Sequence, residues 1–121
     1  MEPIRRLSGP VPARQKRDEF VWSIPLNDKP TADWIQFFRN SGERQGVISS
    51  QRVAFRDAEL GFESTEAHVA AWILHIDKWI TAANDATQRA EEQRWEDRRR
   101  ETTKAEEQAQ RLRDADKYRE L

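Results

Sequence analysis

After Gly61 the chain runs to its C-terminus without another proline or glycine. The two residues that most strongly break a helix are therefore missing from its whole second half. Ser64 or Thr65, with Glu66 close behind, supplies a start, so one long helix is expected from there onward. If helical from Thr65 to the end, it would be on the order of 80 Å long at ~1.5 Å per residue, longer than so small a domain is wide.

That helix changes character along its length. Val69, Trp72, Ile73, Ile76, Trp79 and Ile80 make an apolar face that Ala70, Ala71 and Leu74 widen. A surface this broad needs cover on more than one side: a sheet on one, and a short helix, another protein or a second copy on the rest. The seam that begins Val69, Trp72, Ile76, Trp79 shrinks through Ala83, Ala86 and Ala90, then meets Gln93, Asp97, Arg100 and Lys104. The interior of a self-associating coiled coil does not take those four without paired partners. Ala105, Ala109 and Leu112 begin a second, weaker seam, but its next position is Asp116, and two small apolar fragments are not expected to make a zipper.

Residues 88–121 hold ten basic and ten acidic side chains. They read as a charged helical extension rather than core, held by helix propensity and by local pairs such as Glu96 with Arg100 and Glu107 with Arg111, each contributing about 0.2–0.5 kcal/mol.

The opposite end differs. Residues 1–18 carry Arg5, Arg6, Arg14, Lys16 and Arg17 among Pro3, Gly9, Pro10 and Pro12, with no apolar period. They read as a flexible basic arm, available to an acidic partner or a phosphate backbone. Between the two ends lies an alternating segment, Phe20, Trp22, Ile24 and Leu26, expected as a strand that is an edge or stops at Pro25. Thr31 is a suitable cap for a helix to Asn40 that buries Trp34, Ile35, Phe37 and Phe38, with Gly42 as its stop. Val53 and Phe55, then Leu60 and Phe62, suggest a hairpin turning at Asp57-Ala58, with Arg56 facing Glu59. The fold class is thus α+β: a β-α-β-β-α module of about three antiparallel strands, divided into an arm (1–18), a core (19–90) and a helical extension (91–121).

Chemistry is harder to find. The chain has no cysteine, which removes thiolate nucleophiles, disulfides and zinc thiolate sites. None of the glycine-rich phosphate loops, the nucleophile-elbow pattern or the HExxH pattern is present. His68 and His75 are seven residues apart on one helix face, about 10 Å along the axis, too far to share one metal ion. Ser49 and Ser50 have no base that the sequence can tie to them. Neither catalytic residues, nor a metal, nor a cofactor is expected.

The expectation is a noncatalytic protein-interaction module: an adaptor, regulator or inhibitor of a larger assembly. Trp72, Trp79 and Trp95 with Arg98, Arg99 and Arg100 are its candidate contacts, and another protein or a second copy is its partner. Trp95 has two readings, a ring covered by a neighbouring arginine or an aromatic anchor for a partner. The alternative is a nucleic-acid-associated protein using Arg5, Arg6, Arg14, Lys16 and Arg17. No run of residues approaches a membrane span, and the start lacks the apolar stretch of a signal peptide, so a cytoplasmic protein is expected. Its compact, cysteine-free, charge-rich make-up parallels that of proteins from phages and mobile elements.

Overall fold

The computed structural model describes residues 2–42 and 46–119. It divides into two units, Met1–Thr87 and Gln88–Leu121. Along the chain lie β1 (Val11–Lys16), β2 (Glu19–Pro25), α1 (Ala32–Asn40), β3 (Ala54–Arg56), β4 (Glu59–Ser64) and α2 (Val69–Arg119), with short 3-10 turns at Ser50–Arg52 and Glu66–His68. The strands form one antiparallel sheet in the order β1-β2-β4-β3, and the fold is α+β.

The sheet has four strands where three were expected, and the additional one lies in the segment read as a flexible arm. β1 folds back on β2 through the two-residue loop Arg17-Asp18, with Lys16 opposite Glu19. All six of its residues are exposed, so neither face is buried and no alternation marks it in the sequence. As an edge strand it tolerates Pro12, and it bulges between Pro12 and Arg14. The second hairpin turns at Asp57-Ala58 with Arg56 opposite Glu59. Arg17 and Asp57, each the first loop residue, take left-handed φ values of 56° and 51°.

Register places Trp22 opposite Phe62 and Ile24 opposite Leu60, all on the face that the helices cover. Thr31 caps α1 by accepting from the Trp34 amide at 3.2 Å. The carbonyl end of α1 is closed by Ser41 Oγ on the Phe38 oxygen at 2.6 Å and by Ser50 Oγ and Gln51 Nε2 on the Arg39 oxygen at 2.7 and 2.9 Å. These side chains replace the water that a free helix end would need.

Gly42 therefore has a different role from the helix stop read in the sequence, because Ser41 already ends α1 in a right-handed conformation. A Cβ on Gly42 would lie 2.6 Å from Trp79 Nε1 and 2.7 Å from Ser50 Oγ. Gly42→Ala is expected to lower the unfolding free energy by about 1–3 kcal/mol, the usual cost of overpacking. Denaturant unfolding should show a lower midpoint with an unchanged slope.

The stripe of α2 that carries Trp72, Ile76, Trp79, Ile80 and Ala83 is covered within the unit, whereas Leu74, read as widening it, is 67% exposed. Trp72 stacks on Phe62 of the sheet at 5.0 Å, and Trp79 meets Phe38 of α1 edge-on at 5.7 Å. The remaining side is taken by the N-terminal segment, whose Ile4 is 1% exposed. Two asparagines hold that segment from either side. Asn84 of α2 accepts from the Ile4 amide and donates to the Ile4 carbonyl, both at 2.9 Å, while also accepting from Trp34 Nε1 at 2.8 Å. Asn27 accepts from the Arg5 amide at 2.8 Å and donates to the Pro3 carbonyl at 3.1 Å. A residue in extended backbone points its N–H and C=O to one side and its neighbour's to the other, so the two amides satisfy alternate residues of the same segment.

Candidate interaction surface

Trp72 and Trp79, read from the sequence as partner contacts, are core residues: they are 2% and 6% exposed and lie edge to face at 6.4 Å. Burial leaves them no surface to offer, because the sheet, α1 and the N-terminal segment already occupy both sides of the stripe. His75 stacks on Trp79 at 5.6 Å, and Ser50 is buried as a cap of α1. Among the described residues, no group of three or more His, Asp or Glu side chains converges on a point that would hold a metal ion.

Two of the five cations of residues 5–17 are paired within the chain. Arg6 makes a bidentate pair with Asp77 of α2, Nε to Oδ1 at 2.6 Å and Nη2 to Oδ2 at 3.0 Å. Such a fork is directional and fixes the segment rather than reaching for a phosphate. Lys16 pairs with Glu63 of β4 at 3.1 Å. Arg5 and Arg14 are exposed, and Arg17 sits in the β1-β2 loop. The open face of the sheet carries Arg14, Val21, Ser23, Gly61 and Glu63, whereas Trp22, Phe55 and Phe62 share the register of the covered face. An open face without aromatic rings gives nucleic-acid bases nothing to stack on. A cleft of about 410 Å³ is lined by Ile4, Leu7 and Ile80 together with Arg6, Asp77 and Asn84, of which Arg6 bonds Asp77 and Asn84 bonds the Ile4 backbone.

Within the Gln88–Leu121 unit the situation is reversed. Trp95 is 62% exposed on α2, and every described residue from Glu91 to Gln108 is exposed. Helical spacing puts Arg98 and Arg99 one turn beyond Trp95 on the same side, while Arg100 points elsewhere. The three consecutive arginines are therefore not one patch: two flank the ring and the third does not. Gln88 to Glu92 at 3.3 Å and Gln93 to Asp97 at 3.1 Å are i,i+4 contacts that support the helix locally. Among the described residues, no helix is long and apolar enough to cross a membrane. No protein-family model matches the chain, and no curated protein or solved structure matches it.

Proposed function

We propose that the protein is a noncatalytic interaction module, acting in the cytoplasm as an adaptor, regulator or inhibitor of a larger assembly, with the Trp95 face of α2 as its contact. The observation that carries the reading is the exposure of Trp95, 62%, with Arg98 and Arg99 beside it. Tryptophan and arginine are the residues most enriched at interface hot spots, and a large aromatic ring left in water on a charged helix is a cost that binding removes. The nucleic-acid reading draws less support, since Arg6 and Lys16 are engaged within the chain.

Trp95→Ala tests the proposal. Capture by the partner should weaken by about 2 kcal/mol or more, roughly thirtyfold or beyond. Thermal unfolding should stay within about 0.5 kcal/mol of the intact chain, as for other exposed positions. Unchanged capture by the Trp95→Ala chain would refute the assignment.

A further inference from the structure

Trp95 belongs to a stripe that the seam running from Val69 does not contain. At 3.6 residues per turn, Trp95, Thr102, Ala105, Ala109 and Leu112 fall within an arc of about 100°. Every Trp, Leu and Ala between residues 91 and 113 lies in that arc, which also holds Glu91 and Arg98, while the other charged side chains occupy its edges or the rest of the surface. With Arg98 included, the stripe has alternating spacings of three and four, the spacing of a two-helix seam.

We propose that residues 92–113 pair antiparallel with the same segment of a second copy, an inference that rests on reading the Trp95 face as an interaction element. Matching is what identifies the partner. When Trp95 of each copy is set against Leu112 of the other, Arg98 falls opposite Ala109 and Thr102 opposite Ala105. Large side chains then face smaller ones in each layer, and the Arg98 stem can cross the Ala109 methyl to bring its guanidinium to the rim. At the seam's edge the same alignment sets Glu92 against Arg113 and Arg99 against Glu106, opposite charges each time, and the symmetry repeats both pairs. On the other edge Glu101 meets Gln108, so within residues 92–113 no like charges oppose one another.

A parallel, in-register pair does the reverse. It sets Arg98 on Arg98, Arg94 on Arg99 and Glu101 on Glu106, like charges in each case, which weakens association. Charge complementarity thus selects both the partner and its direction.

Sedimentation of the full chain across a dilution series is expected to show a monomer–dimer equilibrium. Arg99→Glu alone and Glu106→Arg alone should each raise the dissociation constant about tenfold or more, because each places two like-charge pairs in the dimer. An equimolar mixture of the two variants should recover the affinity of the intact chain, since in the mixed dimer both pairs are again opposite in charge. A parallel dimer would instead be tightened by either single change, which would overturn the proposal. The absence of native cysteine allows a second arm: Arg98→Cys mixed with Ala109→Cys should give the mixed disulfide under oxidation, and Arg98→Cys joined to itself would overturn the antiparallel arrangement. A chain that stays monomeric throughout also overturns it. Loss of a different protein on Trp95→Ala would in that event leave the interaction reading standing without the second copy.

Discussion

Asn84→Leu is expected to lower the unfolding free energy of the Met1–Thr87 unit by about 3–5 kcal/mol. The asparagine answers three polar groups at once, the Ile4 amide, the Ile4 carbonyl and Trp34 Nε1. Ile4 and Trp34 are fully buried, so water cannot readily take over. Each group left without a partner costs about 1–3 kcal/mol, and leucine, similar in size, fills the space without answering any of them. For a unit of this size each kcal/mol moves the midpoint by about 4–8 °C, so a fall of roughly 15 °C or more should be seen by calorimetry. Asn84→Asp separates the contributions. It keeps the oxygen that accepts from the Ile4 amide and Trp34 Nε1 but sets a second acceptor against the Ile4 carbonyl, so its loss should be large near neutral pH and clearly smaller in acid, where a protonated carboxyl can donate there. Equal losses in the two variants under acid conditions would mean that the amide network is not what holds the N-terminal segment.

How much of this was readable beforehand depended on whether burial left a period in the sequence. β2 was legible because Trp22 and Ile24 face the core while Val21 and Ser23 do not. β1 was not, because an edge strand exposed on both faces carries no alternation, and its proline and cations suggest an arm instead. The docking of residues 3–6 was equally hidden. It depends on Asn84 and Asp77, which lie 80 and 71 residues from their partners Ile4 and Arg6. A hydrogen bond of that sequence separation leaves no local mark, whereas the cap at Thr31 and the turn at Asp57-Ala58 are written within a few residues. Of the covers expected for α2, a short helix, another protein or a second copy, the short helix supplies part through Phe38, and the chain's own first residues, which carry no such signal, supply the rest. For the candidate site, Trp95 stood out as an aromatic ring among charges, but grouping it with Trp72 and Trp79 joined a surface residue to two that their own periodicity marked as core.

Trp79→Ala, in contrast to Trp95→Ala, is expected to cost about 3–5 kcal/mol, the range for removing a large aromatic side chain from a packed interior. Trp79 sits where three parts of the core meet: Phe38 from α1, Trp72 from its own helix, and the Gly42 backbone, which approaches so closely that no Cβ fits. Alanine there empties the junction, and the cap at Ser50, packed against Gly42 on the same spot, loses its support. Domains are commonly stable by only about 5–15 kcal/mol, so this one change removes a large part of the margin. The measurable consequence is a loss of cooperative unfolding or a midpoint lowered by roughly 15 °C or more, with any loss of partner binding following in proportion to the unfolded fraction. If Trp79→Ala folded normally yet failed to bind, the tryptophan would be reaching the surface in a conformation other than this one. Because Trp95 is exposed and Trp79 is not, the pair separates recognition from stability: the first should change binding at constant midpoint, the second the midpoint itself.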